Sequence, residues 1–298
     1  MDRNFYNKMS SKKLGWEPEW FGEDQFDDCL VEKVKQFQRK MSLVDDGLVG
    51  PLTHRRLMTA REAEIEMAEA SSEHIICNGE RVPIAWNKVI SMEDAGALAL
   101  PNSCYNSHRE TWQRTPTMIV THWDAALSAK SCYNILKKRE ISSHFVIDND
   151  GTIYQMVDTQ HTCWHAGNRA VNNCSIGIDF SNAYYTKYQD VYVKRGHGHR
   201  PVLKNSKVHG RKLKDHLGYY PIQIQAYKAL LKSLADYYNI PLECPTDNDG
   251  KLLTAVSREA RTAKYEGVVC HYHITNRKID CAGLELVKII RDIGNKKD

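Results

Sequence analysis

The feature that most constrains this chain is a short apolar segment near its C-terminal end that stops at a histidine. Residues 268–271 (VVCH) make up the segment, and Lys278, Asp280 and Cys281 follow within ten residues of His271. Branched apolar residues favour a buried β-strand, and the polar loop after it can return an acid or a thiol toward the histidine. A metal ion bound by side chains needs ligands that converge from rigid elements. This segment therefore predicts two ligands of a metal site at the end of a strand.

A second segment of the same kind supplies a further ligand. Residues 118–122 form a branched apolar run that ends at His122. Two strand-end histidines and one carboxylate or thiolate leave a fourth coordination position open, which is typical of a catalytic zinc site rather than a structural one. The residues alone keep a second interpretation open, because histidines in strands are often buried polar groups with satisfied hydrogen bonds.

Five segments resemble, in the same order, the landmarks of the zinc-dependent N-acetylmuramoyl-L-alanine amidases. This family also contains the bacteriophage T7-type lysozyme and the peptidoglycan recognition proteins. The matching segments are residues 119–122 (IVTH), 143–154 (SHFVIDNDGTIY), 164–167 (WHAG), 175–179 (SIGID) and His271 with 278–280 (KID). Five ordered matches are specific. The resemblance implies an α/β fold in which helices flank a mixed β-sheet.

The resemblance also implies roles for individual residues. His122, His271 and Asp280 are expected to bind Zn²⁺, and Lys278 to place a cation against the oxyanion of the transition state. Asp179 ends its strand at the position where related bacterial enzymes carry a glutamate, which implies that it is the general base. The bond to be cleaved is the amide between N-acetylmuramic acid and the L-alanine of the stem peptide.

The third zinc ligand is open between two neighbours. The family pattern runs lysine, any residue, Asp or Cys, and then usually Pro-Gly, whereas Cys281 and Ala282 stand at the Pro-Gly positions here. Cys281 is itself a good soft ligand. Asp280 is favoured, because a ligand at Cys281 would move Lys278 out of the position that matches the lysine of the family pattern.

Three further residues are predicted to contact substrate. His144 leads a hairpin, His165 lies in the WHAG segment, and Trp123 follows the first histidine. For His165 a structural role that holds the loop is an equal alternative, and for Trp123 the alternative is a buried core position. Ser143 stands where many family members have a catalytic tyrosine, so that role cannot be carried over.

The N-terminal part resembles a smaller module. Residues 34–38 (VKQFQ) and 46–53 (DGLVGPLT) are similar to the peptidoglycan-binding module of three short helices that accompanies many wall hydrolases. The alternative is a helical cap that packs on the main domain. The predicted organisation is a binding module in residues 1–60, a helical linker in residues 61–73 and a zinc amidase domain in residues 74–298.

Within the larger domain, the apolar periodicity predicts helices at residues 128–139 and 221–238. Residues 184–220 are rich in tyrosine and in basic residues, Arg200 and Lys214 among them. This segment is longer than the equivalent connection in compact family members, so it is predicted to be an insertion. We expect it to form a loop at the rim of the cleft that meets anionic groups of the substrate.

Composition limits the partners and the location. The formal net charge of +4 is too small for a dedicated nucleic-acid binder, and nine cysteines without paired spacing argue against a disulfide framework. The first residues lack the apolar core of a signal peptide, and no long apolar run predicts stable membrane association. We expect a monomer that is made in the cytoplasm of a host bacterium and that reaches the bacterial cell wall after the membrane is permeabilised.

Together these features predict a phage endolysin that cleaves peptidoglycan. Two other functions stay open. One is a zinc-dependent peptidoglycan endopeptidase or carboxypeptidase. The other is a recognition protein that binds without catalysis, although such family members have lost the Asp or Cys ligand that this chain retains at residues 280–281.

Overall fold

The computed structural model describes residues 2–41, 43–70, 73–109 and 112–295. The chain forms two compact units. The first comprises Met1–Glu69 with Val191–His199, and the second comprises Ala70–Asp190 with Arg200–Asp298.

The first unit is helical. Its helices are α1 (Arg3–Leu14), α2 (Asp28–Lys40) and α3 (Pro51–Ala70), with a 3-10 turn at Pro18–Phe21. Asp2 and Asp27 begin the first two helices by accepting hydrogen bonds from backbone N–H groups, and Pro51 begins the third, where its missing N–H costs nothing. One apolar cluster lies between the helices and contains Trp16, Leu30, Val34, Val49 and Leu57.

The side chain of Gln38 explains why the FQ and DGLVGPLT phrases occur together in this unit. Its amide nitrogen donates to Asp46 Oδ1 at 2.8 Å, to the Leu48 carbonyl at 3.0 Å and to Thr53 Oγ1 at 3.1 Å. Its amide oxygen accepts from the Gly47 N–H at 2.9 Å. A buried glutamine therefore closes the turn between α2 and α3, because every one of its polar atoms finds a partner there.

Two features of this unit extend the sequence interpretation. Helix α1 lies before the two phrases that predicted the module, and it forms because Asp2 provides an N-terminal cap and Gly15 a left-handed C-terminal one. Helix α3 runs without a break from Pro51 to Ala70, so the expected boundary at residue 60 falls inside a helix. Residues 71–72 of the predicted linker lie outside the described residues.

The second unit is organised around a mixed β-sheet. Its strands are β1 (His74–Cys77), β2 (Glu80–Pro83), β3 (Val89–Ile90), β4 (Tyr105–Asn106), β5 (Met118–Trp123), β6 (Phe145–Ile147), β7 (Ile153–Gln155), β8 (Thr162–Cys163), β9 (Ser175–Phe180), β10 (Val202–Leu203), β11 (Lys207–Val208), β12 (Arg211–Lys212), β13 (His216–Leu217) and β14 (Gly267–Cys270). Six of them form the main sheet in the order β14-β5-β9-β6-β7-β3. The first four of these are parallel neighbours, whereas β7 is antiparallel to β6. The predicted α/β class with a mixed sheet is confirmed, and the carboxyl ends of β5, β9 and β14 meet at one edge, which is where open α/β sheets bind ligands.

Helices cover the sheet. Those after α3 are α4 (Ala129–Arg139), α5 (Arg169–Cys174), α6 (Gln189–Lys194), α7 (Pro221–Tyr238), α8 (Arg258–Arg261), α9 (His271–Ile274) and α10 (Leu286–Gly294). The predictions of α4, which Ser128 caps, and of α7 are confirmed. Buried side chains of α7 and α10 join the main apolar core, which includes Phe145, Ile178, Leu230 and Ile289. Within the described residues, no helix combines the length and apolar character needed to cross a bilayer.

One arginine of the segment predicted as an insertion is buried and forms its hydrogen bonds within the second unit. Arg200 donates to the carbonyls of Gly218 and Ser181, at 2.7 and 2.6 Å, and to the side-chain oxygen of Asn149. Its guanidinium lies 4.4 Å from the ring centre of Tyr220. Arg200 was expected among the surface charges of a rim loop, but it is 2% exposed. Its charge therefore satisfies backbone carbonyls and does not face substrate.

Candidate active site

Three buried side chains converge where β5 and β14 end. His122 is in β5, and His271 follows β14 directly, so the parallel pairing of the two strands places both histidines at one edge. The Nδ1 atoms of His122 and His271 are 3.0 Å apart, and Asp280 Oδ2 lies 3.2 Å from the first and 3.0 Å from the second. The sequence expected His122 and His271 to meet with an acid or thiol, and the structure brings them together with Asp280.

The donor set fits a bound zinc ion. Burial lowers the pKa of His271, and the neighbouring His122 lowers it further, which favours the neutral imidazole. Burial alone would raise the pKa of Asp280, but the two histidines outweigh it and hold this pKa well below its usual value. Neutral imidazoles and an ionised carboxylate are the forms that bind metals. The separations of the three atoms are also close to the roughly 3.3 Å between ligands in a tetrahedral zinc site with bonds of about 2.0–2.1 Å.

Asp280, and not Cys281, faces the histidines. The thiol of Cys281 is completely buried in the main core beside Cys270 and Tyr219. Burial raises the pKa of Cys281 well above its usual value, which keeps the thiol protonated. A protonated thiol that points into the core is a structural side chain.

A further histidine, His165, contacts the second ring nitrogen of His122. The Nε2 atom of His122 lies 3.0 Å from Nδ1 of His165, and Nε2 of His165 lies 3.3 Å from the hydroxyl of Ser175. Burial and the adjacent His122 lower the pKa of His165 well below its usual value. A partner at the second ring nitrogen fixes the orientation and tautomer of a ligand histidine. His165 also lines the cleft, so the geometry is compatible with both roles that the sequence left open.

His144 does not fit the predicted contact with substrate. Its side chain is 0% exposed, its Nδ1 accepts from the Gly177 N–H at 3.0 Å, and its Nε2 lies 3.0 Å from the His161 carbonyl and 3.3 Å from Arg114. Arg114 is itself buried and donates to backbone carbonyls around this ring. Because every polar atom of His144 is used inside the protein, we correct its role to a structural one beneath the cleft.

Asp179 lies on the strand next to that of His122. The parallel register of β5 and β9 pairs His122 with Asp179, so both side chains project from the same face of the sheet. Burial raises the pKa of Asp179, the neighbouring His122 opposes part of the rise, and Asp280 adds to it. The buried hydroxyl of Ser143 moderates the rise, although it forms no hydrogen bond of normal geometry with any described residue. A carboxylate with these neighbours is placed to exchange a proton beside the three converging ligands.

Asp124 is a second carboxylate at the same cleft, and sequence reasoning missed it. Its side chain accepts from the backbone of Ala126 and Asn182 and from the hydroxyl of Ser181. Burial, with the nearby charge of Asp179, raises its pKa to about 8. The only signal in the sequence was an acid two positions after a strand-end histidine, which is common in loops.

The cluster opens into a cationic cleft. This cleft has a volume of about 500 Å³ and shares His165, His271 and Lys278 with the space around the cluster. Its positively charged lining residues are Arg139, Arg261, Arg277 and Lys278, and none of the described residues that line it is acidic. Lys278 is exposed here, as expected of a lysine that faces the reacting group. The charge of the cleft favours anionic groups of a ligand.

A second cleft near the cluster is an aromatic groove of about 520 Å³, lined by Trp123, Tyr184, Tyr185, Thr186, Lys187, Leu213, Lys214, Asp215, His216 and Ile279. The ring of Trp123 is stacked on Tyr184 with centroids 4.7 Å apart, and Tyr184 is stacked on Tyr185 at 4.2 Å. Trp123 is only 7% exposed, whereas Tyr185 is 52% exposed. Tyr184 covers one face of the Trp123 ring, which favours the core position over the predicted contact with a sugar, and Tyr185 is the accessible end of the stack.

Buried ligand-type residues, an adjacent carboxylate and a cation at the mouth of a cleft define a hydrolytic enzyme. The model of the N-acetylmuramoyl-L-alanine amidase family matches residues 112–281, and that of a putative peptidoglycan binding domain matches residues 12–57. The chain belongs to the N-acetylmuramoyl-L-alanine amidase family and carries an N-terminal peptidoglycan-binding domain.

Several solved structures are similar to this chain. AmiD from E. coli, in complex with anhydro-N-acetylmuramic acid-L-Ala-D-gamma-Glu-L-Lys, is 22% identical, with a TM-score of 0.40 over 63% of this chain and 61% of its own. AMPDH3 from Pseudomonas aeruginosa, in complex with an anhydromuramic pentapeptide, is 20% identical, with a TM-score of 0.40 over 64% of this chain and 65% of its own. The endolysin LysCS from Clostridium intestinale is 18% identical, with a TM-score of 0.37 over 61% of this chain and 85% of its own. The similarity thus spans less than two thirds of the AmiD chain. No curated protein matches the sequence.

Proposed function

We propose that this protein hydrolyses the amide bond between N-acetylmuramic acid and the L-alanine of the stem peptide in peptidoglycan. Membership of the amidase family supports the reaction class. The observation that carries the proposal is the convergence of His122, His271 and Asp280 at the mouth of a cleft, with Asp179 beside them.

We propose that these three side chains hold a zinc ion. Zinc, when bound, acts as a Lewis acid and makes hydroxide accessible near neutral pH. His165 orients His122 through its second ring nitrogen, and the parallel pairing of β5 with β14 holds the two histidines side by side. Ligands held by strands and by a hydrogen-bonded partner lower the cost of ordering a metal site.

Asp179 is the proposed general base. It accepts a proton from the attacking water and returns it to the leaving nitrogen of L-alanine, so that the amine leaves as a neutral group. Its burial beside His122 places it within the low-dielectric part of the site, where a fixed carboxylate acts without reorganisation of solvent.

Lys278 is the proposed cation for the oxyanion that forms when water adds to the carbonyl. Its flexible side chain is exposed at the mouth of the cleft, whereas its backbone carbonyl is held at 3.0 Å by Nε2 of His209 from the insertion. The loop is therefore fixed, and the ammonium group can still follow the reacting oxygen.

We propose that the protein is a phage endolysin that acts as a monomer on the bacterial cell wall. A peptidoglycan-binding domain beside an amidase domain supports action on intact wall. Made in the cytoplasm of the host, it would reach its substrate only after the membrane is permeabilised. Expression in a bacterial host with and without a separate membrane pore tests this role: lysis should require the pore, and lysis without it would contradict the proposal.

Mass analysis of wall digests tests the reaction itself. The expected products are free stem peptides that begin with L-alanine and glycan strands that retain intact muramic acid. A chelator should abolish their formation and added zinc should restore it. Cleavage within the peptide would instead indicate an endopeptidase or carboxypeptidase, and binding without any product would indicate a recognition protein.

A further inference from the structure

Two parts of the segment predicted as an insertion line the aromatic groove. Tyr185 and Lys187 come from its first part, and Lys214 comes from a later part. A backbone bridge between Tyr185 and His216 joins the two parts. The groove therefore depends on the segment that the sequence predicts to be additional to compact family members.

We propose that this groove binds the glycan strand of peptidoglycan, on the sugars next to the muramic acid that carries the scissile amide. This inference rests on the proposed function, because it extends the same substrate away from the reacting bond. It assigns the sugars to the groove and leaves the cationic cleft to the stem peptide.

Continuity with the cluster is the first argument. Trp123 lines both the groove and the central space, and it follows His122 directly in β5. Ile279, which also lines the groove, lies in sequence between Lys278 and Asp280. The groove is therefore lined by the direct neighbours of His122, Lys278 and Asp280, and a polymer that presents its lactyl amide to the cluster can continue into it.

The chemistry of the lining is the second argument. Sugar rings have apolar C–H faces and a rim of hydroxyl and acetamido groups. The groove offers apolar surface from Tyr184, Leu213 and Ile279 and hydrogen-bonding groups from Thr186, Lys214 and Asp215. Its charged lining residues are two lysines and one aspartate, so it is nearly neutral, as the glycan is. The cationic cleft suits the free carboxylates of a stem peptide instead.

Rigidity is the third argument. The Tyr185 ring is stacked on Tyr184, and the backbone of Tyr184 accepts from the Leu217 N–H at 2.7 Å. Lys187 lies 5.5 Å from the ring centre of Tyr185. Arg200, in the middle of the segment, donates buried hydrogen bonds to the carbonyls of Gly218 and Ser181, near the two ends of the segment. The stack therefore exists before substrate arrives, which lowers the ordering cost of binding.

The test compares two substrates with the same peptide. One carries a single N-acetylmuramic acid, and the other carries it within a tetrasaccharide of alternating N-acetylglucosamine and N-acetylmuramic acid. In the wild type kcat/KM should be higher for the tetrasaccharide. Tyr185→Ala should lower that value about five-fold, mainly through KM, and leave the single-sugar substrate within about two-fold. Tyr185→Phe should keep most of the preference.

A matched control is Tyr133→Ala on α4. Tyr133 is also a partly exposed tyrosine with lysines near its ring, at 5.1 and 5.7 Å, but it does not line the groove. Tyr133→Ala should leave kcat/KM unchanged for both substrates. If Tyr185→Ala lowers kcat/KM equally for both substrates, or for neither, the glycan assignment is wrong.

A second measurement does not depend on catalysis. The full chain labelled with 5-fluorotryptophan gives a fluorine NMR signal for Trp123, assigned with Trp123→Phe. Peptide-free tetrasaccharide should shift this signal in the wild type and not in Tyr185→Ala. No shift in the wild type would overturn the groove assignment even if the enzyme is active. A shift in a protein that hydrolyses neither substrate would uphold glycan binding and contradict the proposed reaction.

Discussion

The two clefts near the ligand cluster differ in the chemistry of their walls: His271 and Lys278 line the cationic cleft, whereas Trp123 and Ile279 line the aromatic groove. The cationic cleft is built from residues near helix ends and loops of the amidase unit, with Arg139, Arg261 and Arg277. The aromatic groove is built around Tyr184 and Tyr185 of the insertion. The substrate that we propose has the same asymmetry, because a charged peptide and a neutral glycan meet at the scissile amide. The comparison teaches that two clefts of different chemistry near one catalytic cluster can set the direction in which a substrate binds.

The largest expected effect removes one of the three proposed zinc ligands. Asp280→Ala should abolish zinc binding and reduce amidase activity to background, because two histidines alone leave the metal with too few protein ligands. Zinc content measured by elemental analysis, together with kcat/KM on a muramyl peptide, checks this. Cys281→Ala is the matched control and should keep the metal, because that thiol faces the core. Loss of zinc from the control with retention in Asp280→Ala would reverse the ligand assignment.

The next effect separates chemistry from metal binding. Asp179→Asn should lower kcat by roughly 10²–10⁴-fold while zinc content stays at the wild-type level, because the amide cannot accept a proton from water. Asp179→Glu should recover part of the rate, since it retains a carboxylate at nearly the same position. Rates equal to wild type for the asparagine variant would assign the base elsewhere, with Asp124 as the nearest carboxylate to examine.

Lys278→Met tests the mouth of the cationic cleft. Removing one charge that stabilises the oxyanion should cost about 10²–10³-fold in kcat. The effect should be similar for single-sugar and tetrasaccharide substrates, because the oxyanion is common to both. A variant that changes only KM would show instead that Lys278 binds the peptide.

The smallest expected effect concerns the cationic cleft, to which we assign the stem peptide. The double variant Arg261→Ala with Arg277→Ala should raise KM about ten-fold for a stem peptide with free carboxylates, equivalent to about 1.4 kcal/mol. The increase should shrink for the amidated peptide and at high salt, where exposed charges are screened. An equal increase in KM for the free and the amidated peptide would show that the cationic cleft does not bind the peptide through its carboxylates.

Sequence reasoning reached the centre of the site because its parts are local. A branched apolar run that stops at a histidine predicts a strand end, and two such runs, at residues 118–122 and 268–271, led to the expectation that their histidines meet. The structure pairs these two strands in parallel. The carboxylate at Asp179 follows from the same logic on β9. The mixed sheet and the helices α4 and α7 were predictable for similar reasons.

Features that depend on distant parts of the chain were not predictable. His144 is buried because Arg114, thirty positions earlier, lies 3.3 Å from its Nε2 and donates to the backbone carbonyls around the ring. Trp123 is covered because the insertion returns a tyrosine to its ring face. Arg200 is buried although its neighbours in sequence are polar. In each case tertiary contacts, and not local pattern, decide what the side chain does.

The central claim is that His122, His271 and Asp280 bind one zinc ion. A crystal of the full chain grown with zinc and measured at the zinc absorption edge tests this directly. The predicted result is one anomalous peak within bonding distance of His122 Nδ1, His271 Nδ1 and Asp280 Oδ2. A structure with no peak there, or with the zinc bound by other side chains, would contradict the account.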